Sequence, residues 1–198
     1  MSPRTFRYYR LARLVSVTVV AGLGTAQIAT HSYAMQLMNL IVLFTLALGF
    51  AGEILVGHQV GAGQLLQAMR TVRKSLLWGL AVSTGIAILA AATALLWITV
   101  LLEPGRTCNV VVINALRASG DARFPVAAGA ASMLFVMAGG SWLLGAHFGL
   151  GLVGVWIAYA VNEWLRSLTM ATRWFALGWL PAVRATRRRV ARVSGTQT

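Results

Sequence analysis

Four acidic residues are the side chains of this 198-residue chain most able to do chemistry: Glu53, Glu103, Asp121 and Glu163. Glu103 follows an uncharged apolar stretch, 75–102, and precedes Pro104 and Gly105. If that stretch is in a membrane, an ionised carboxylate there costs roughly 2.5–3.5 kcal/mol and predicts a functional site. The alternative is a Glu103–Arg106 pair, three residues apart, that only neutralises itself.

Other reactive side chains are too scattered to indicate a metal site or a nucleophile. His31, His58 and His147 have no partner four residues away, and Cys108 is the only cysteine. The glycines of 149–154 match a dinucleotide fingerprint, but no strand precedes them and no acid follows at ribose distance. An enzyme is therefore the minor class, and no cofactor is expected.

The composition identifies the setting as a lipid bilayer. Hydrophobic residues make up 58% of the chain and charged residues 11%, with a formal net charge of +13, whereas soluble domains carry about 25% charged residues. The basic residues are clustered between long uncharged stretches, which is typical of membrane loops and argues against nucleic-acid binding.

Three uncharged stretches, 14–52, 75–102 and 124–162, predict the crossings. A crossing needs about 20 helical residues, so the first and third stretches predict two helices each. We place their breaks at His31-Ser32 and at 147–151, with Pro125 in a first helical turn. The region 75–116 is barely long enough for two helices that meet near 91–93. The sequence thus predicts an all-α integral membrane protein, a six-helix transmembrane bundle, or five helices if this hairpin does not form.

Basic clusters define the expected topology and domains. An even number of crossings between clusters places both termini in the cytoplasm of a multi-pass cell (inner) membrane protein. We expect a basic leader at 1–13, a transmembrane lobe at 14–180 and a basic, disordered tail at 181–198. Alternatively, the N-terminal segment is a secretory signal cleaved after Ser32-Tyr33-Ala34.

Small residues indicate where helices pack closely in lipid. Gly57 with Gly61, and Gly145 with Gly149, are each four residues apart and predict close backbone contact. Glu163 with Arg166, next to Trp164, is interpreted as a structural anchor, and Asp121 as a loop ion pair or helix cap.

Several motifs together resemble the multidrug and toxic compound extrusion (MATE) family of cation-coupled efflux transporters. They are GTAQIATH (24–31), VGHQVGAG (56–63), LEPGR (102–106), ALRASGDARFP (115–125), GLGLVGVW (149–156) and NEWLR (162–166). Each motif is weak alone, but their order and spacing over roughly residues 20 to 180 make the match specific. Members of that family have two six-helix lobes, and this chain resembles the C-terminal lobe. Compared with that lobe, its middle is shortened, and the family's seventh helix is cut or replaced ahead of about Arg10.

The resemblance implies export of cationic amphipathic compounds in exchange for H⁺ or Na⁺. Many relatives carry an acid one turn after Glu103, where this chain has Arg106, so carry-over of cation coupling rests on Glu103, with Asn109 and Gln59 as polar neighbours. Further residues are candidates for lining the substrate cavity: Gln27, Asn39, Glu53 and Gln59. The implied partners are the bilayer, the small molecules and a second six-helix lobe, from a separate chain or by self-association. The alternative is a non-transporting truncated lobe, a remnant or a membrane interaction protein.

Overall fold

The computed structural model describes residues 3–90 and 94–185, with side chains for residues 10–88 and 97–185. Every regular element in these residues is helical, which confirms the all-α prediction. The long helices are α1 (Pro3–Ala21), α2 (Thr25–Gly61), α3 (Leu65–Ala90), α4 (Ala94–Ala118), α5 (Arg123–His147) and α6 (Gly151–Phe175). A short helical segment at 180–185 follows.

The first predicted break is wrong. His31 and Ser32 are within α2, and the chain turns instead at 22–24, where Gly24 has a φ of 104°. Such a positive φ is accessible to glycine at little cost, whereas His and Ser can remain helical when their polar groups find neighbours. In α2 the Ser32 hydroxyl donates a hydrogen bond to the Ile28 carbonyl at 2.9 Å, so the helix continues.

The other breaks follow the prediction. The chain turns at 148–150, with Gly149 at a φ of 68°, and Pro125 is in the first turn of α5. The doubtful middle region forms two helices, α3 and α4, which pack side by side. The predicted meeting point, 91–93, lies outside the described residues.

Two of the described helices, α2 and Arg123–His147, have both the length and the hydropathy of a membrane span. Their most apolar windows have mean hydropathies of 2.2 and 1.5, and only 22% of each window is buried inside the chain. The remaining apolar surface is available to lipid or to another protein. At about 1.5 Å per residue, the 37 residues of α2 extend about 55 Å, beyond a bilayer core of about 30 Å.

Short turns make consecutive helices antiparallel. The start of α1, the α2–α3 turn, the α4–α5 turn and the end of α6 are therefore at one end of the bundle. Among the described residues, this end carries Arg70, Arg117, Arg123 and Arg184. We call it the basic end of the bundle.

The close-packing glycines are partly as predicted. A Cβ at Gly145 would lie 2.9 Å from Val155 and 3.0 Å from Val19, so this glycine is at a close helix contact. Gly57, Gly61 and Gly149 have no neighbouring atom of the described residues within 4 Å of such a Cβ, so the predicted close contact is absent at these three positions. The closest approach to another helix's backbone is at Gly154, where a Cβ would be 2.6 Å from the backbone of Leu144.

Candidate functional site

A layer of buried and half-buried polar side chains crosses the bundle at mid-height. On α4 it lies between Leu102, which belongs to one apolar core, and Val111, which belongs to a second. On α6 it lies between Ala160 and Met170 in the same way. We call this set the polar layer; its members are Thr45, Ser83, Glu103, Thr107, Asn109, Ser132, Asn162 and Glu163.

Pro104 and Gly105 position Glu103 at the contact between α4 and α6. α4 continues through Pro104, although proline has no N–H to donate to the carbonyl four residues earlier and disturbs the local hydrogen bonding. The neighbouring Leu101 carbonyl accepts a hydrogen bond from Trp164 Nε1 of α6 at 2.8 Å. A Cβ at Gly105 would lie 3.2 Å from the Trp164 ring, so glycine allows this ring to lie against α4.

Glu103 is fully buried and bonded on one oxygen only. Its Oε1 accepts a hydrogen bond from Arg106 Nη1 at 3.0 Å, while its Oε2 is buried with no hydrogen-bond partner. The predicted self-neutralising pair is thus present. Yet a buried carboxylate oxygen without a donor is unfavourable, so this oxygen is a free acceptor for a proton or another cation.

Glu163 joins this pair from α6. Arg106 Nε is 3.9 Å from Glu163 Oε1, and Asn109 Nδ2 donates to Glu163 Oε2 at 3.0 Å. Glu103 and Asn109, proposed together from the sequence, are therefore linked through Arg106 and Glu163. With both carboxylates ionised, the three charged groups within ion-pair distance carry a net charge of −1.

Sequence reasoning missed the role of Glu163. The expected Glu163–Arg166 anchor is replaced by bonds from Glu163 to α4, and the Nε of Arg166 is buried without a hydrogen-bond partner. The available signal was the position of Glu163 directly after an uncharged stretch, the same signal that singled out Glu103. The three-residue spacing between Glu163 and Arg166 instead suggested a pair on one helix.

A chain of hydroxyl groups occupies the same layer and was also missed. Thr107 donates to Ser83 at 2.8 Å, and Thr45 is 3.5 Å from Thr107. All three are almost fully buried and come from α2, α3 and α4. Single Ser and Thr residues are common in membrane helices, so only the folded arrangement distinguishes these.

The four predicted cavity residues are spread along α2 and do not form one cluster. Gln27 and Asn39 are exposed, whereas Glu53 and Gln59 are half-buried. Gln59 Oε1 accepts a hydrogen bond from Thr71 of α3 at 2.9 Å, which gives it a partner within the chain. Gln27 and Gln59 are about 48 Å apart along the helix axis.

Comparison with known proteins agrees with this architecture. Residues 8–97 match the MatE family, and the match runs through the alternative signal-cleavage site at 32–34. A relative in Bacillus subtilis (strain 168), an uncharacterized transporter named YisQ, is 32% identical over 191 residues, which cover 87% of this chain and 42% of the relative. The chain belongs to the MATE family.

More distant relatives are named for drug resistance. A probable multidrug resistance protein NorM of Bradyrhizobium diazoefficiens is 26% identical, covering 76% of this chain and 37% of the relative. The multidrug resistance protein MdtK of Edwardsiella ictaluri is 25% identical, covering 80% and 40%. No solved structure matches the chain.

Membership makes this MATE chain an all-α integral membrane protein, as the sequence predicted, and the family consists of transporters and not enzymes. The chain spans about two fifths of the length of the curated relatives it matches. That share fits one lobe of a two-lobe protein.

Proposed function

We propose that this chain forms one lobe of a secondary active efflux transporter, which exports cationic amphipathic compounds in exchange for H⁺ or Na⁺. The observation that carries the proposal is the buried cluster of Glu103, Arg106 and Glu163, with its net negative charge and the unpartnered Oε2 of Glu103. One monovalent cation neutralises this cluster.

The fully buried carboxylate of Glu103 is the proposed coupling residue. An excess negative charge in a water-poor interior is unfavourable, so the cluster gains stability when its free oxygen takes up a proton or a sodium ion. Asn109 belongs to the same site, because its Oδ1 is a second buried acceptor without a donor. Either cation would bring the net charge of the Glu103, Arg106 and Glu163 cluster from −1 to zero.

Arg106 connects the bound cation to helix movement. Its guanidinium lies 3.0 Å from Glu103 on its own helix and 3.9 Å from Glu163 on α6. A cation on Glu103 weakens the attraction between Glu103 and Arg106, so Arg106 moves toward Glu163 and strengthens the α4–α6 contact. Loss of the cation reverses the exchange, which gives two arrangements of the kind that alternating access requires.

Substrate is proposed to pass along α2, between this lobe and a second one. The exposed Gln27 and Asn39, together with Glu53 and Gln59, are polar groups on a largely apolar helix. Polar side chains are unfavourable against lipid, which supports a cavity beside this helix.

The same proposal includes placement in the cell. The basic end of the bundle would face the cytoplasm of the inner membrane, following the positive-inside rule. Both termini would then be cytoplasmic, with the lobe at 14–180 between a basic leader and a basic tail. The helix α1 begins at Pro3, within the leader, and residues 186–198 of the tail lie outside the described residues.

The test is ethidium efflux from proteoliposomes that contain the purified chain, driven by an imposed pH or Na⁺ gradient. We expect Glu103→Gln to abolish gradient-driven efflux while the protein stays folded. The matched control is Asp121→Asn, which neutralises an acid paired with Arg173 outside the cluster and leaves efflux intact. Full efflux by Glu103→Gln would exclude Glu103 as the coupling residue.

A second candidate is a lobe that binds cations but does not transport them, because the Glu103, Arg106 and Glu163 cluster is formed entirely by residues of this chain. In that case no variant supports efflux in either gradient. Saturable ethidium binding to the detergent-solubilised chain then separates a binding lobe from one with no cation site at all.

A further inference from the structure

A cavity of about 330 Å³ lies among α1, α2 and α6. Its polar lining comprises Arg13, His31, Ser32 and Tyr159. Its remaining wall is apolar and is formed by Val17, Val20, Ala21, Ile28 and Met35. The cavity thus has a cationic, hydrogen-bonding part and a hydrocarbon-lined part, and its volume is at the small end of ligand pockets, about 300–1,000 Å³.

Arg13 supplies a positive charge that the described chain does not neutralise. Three of the four acids are held elsewhere, Glu103 and Glu163 by Arg106 and Asp121 by Arg173. The fourth, Glu53, is about 33 Å further along α2 than His31. Because Arg13 lines a largely apolar cavity with no acid near it among the described residues, a counter-charge from outside the chain stabilises it.

His31 adds an unused hydrogen-bonding group to the same cavity. Its ring meets Trp156 edge-on at a centroid distance of 5.9 Å and Tyr159 at 6.3 Å, so aromatic neighbours fix its orientation. Its Nδ1 is buried and has no hydrogen-bond partner. Buried polar atoms in native structures nearly always have a partner, and a bound ligand would provide one.

We propose that this cavity binds an anionic amphiphile, with its phosphate or carboxylate group at Arg13 and His31 and its hydrocarbon chain along the apolar wall. The volume accommodates the acid group and the first part of a chain. The rest of the chain continues over the apolar outer face of α1, where Leu14 is 60% exposed and Val17 is 48% exposed. The site is separate from the Glu103 cluster in charge and in place, and it does not depend on the proposed transport activity.

The experiment measures the ligands that the full chain retains, by native mass spectrometry after release from phosphatidylcholine nanodiscs. Three probes are added in separate arms: phosphatidylglycerol, palmitate and inorganic phosphate. Arg13→Gln is compared with Arg70→Gln, which removes an exposed arginine of α3, far from the cavity in the chain. We expect wild type and Arg70→Gln to retain one anionic amphiphile, and Arg13→Gln to bind it about ten-fold more weakly, the loss expected for one charge-assisted hydrogen bond.

A second variant, Val17→Trp, keeps the charge but fills the cavity from an exposed position, and it is expected to lower retention as well. Retention of phosphatidylglycerol identifies a lipid as the source of the acid group, and retention of palmitate alone identifies a single-chain acid; either supports the proposal. Equal retention by Arg13→Gln and Arg70→Gln overturns it. Inorganic phosphate binding as tightly as both amphiphiles overturns the role of the apolar wall.

Discussion

Gly154 is the position where the smallest side-chain addition should disturb the bundle most. A Cβ there would lie 2.6 Å from the carbonyl carbon and oxygen of Leu144 and 2.9 Å from the nitrogen of Gly145. All three atoms belong to the backbone of α5, which cannot move aside as a flexible side chain can. Relieving the overlap to an ordinary contact of 3.4 Å requires α5 and α6 to separate locally by about 0.8 Å.

The expected effect of Gly154→Ala follows from two opposing terms. Overpacking of this kind lowers the free energy of unfolding by about 1–3 kcal/mol, whereas replacing a helical glycine by alanine raises it by about 0.5–1 kcal/mol. Gly57→Ala is the matched control, because Gly57 is also helical but has nothing within 4 Å of the added atom. The helix term is common to both variants, so Gly154→Ala should be less stable than Gly57→Ala by about 2 kcal/mol.

The assay is reversible unfolding in mixed micelles with increasing sodium dodecyl sulfate, followed by circular dichroism. Gly154→Ala should unfold at a lower detergent fraction than wild type, and Gly57→Ala at the same or a higher one. Indistinguishable midpoints for the two variants would refute the close α5–α6 contact. A lower midpoint for Gly57→Ala alone would show that the surface of α2 around Gly57 is packed against another molecule in the micelle.

Two further predictions use the same unfolding assay. Trp164→Phe keeps the ring over Gly105 but removes the hydrogen bond to the Leu101 carbonyl, so stability should fall by about 1 kcal/mol; an unchanged midpoint would mean that the carbonyl finds another donor. Asp121→Asn weakens the 2.9 Å pair with Arg173, which is 36% exposed, so the loss should be no more than about 1 kcal/mol. Hydrogen exchange at residues 119–121 should quicken in Asp121→Asn, and unchanged exchange there would contradict a role of the pair in holding the α4–α5 turn.

Apolar stretch length predicted the helices well, because a membrane crossing requires a minimum number of uncharged residues. The position of the first turn was harder to predict. His31 and Ser32 looked like a polar break, but Ser32 satisfies its hydroxyl within α2 and His31 packs against Trp156. The observed turn at Gly24 depends on a positive φ. Glycine allows this conformation, but a glycine in the sequence does not show whether it adopts it.

The candidate site, too, was predictable only in part. Glu103 was predictable as an isolated acid in an apolar stretch, and its pairing with Arg106 follows from helical spacing. Glu163 and the Thr45–Thr107–Ser83 contacts were not predictable, since they depend on which helix faces lie against each other. Sequence spacing describes neighbours on one helix, whereas these contacts join residues from different helices.

The polar layer also restricts how the helices can slide past one another. Each of α2 to α6 contributes at least one of its members, among them Thr45, Thr107 and Asn162. A shift of one helix by a single turn, about 5.4 Å, would move its polar residue into one of the two apolar cores and leave its partner unbonded. The layer therefore sets the vertical register of α2 to α6, so the proposed shift of Arg106 between Glu103 and Glu163 would change the α4–α6 contact without sliding the helices.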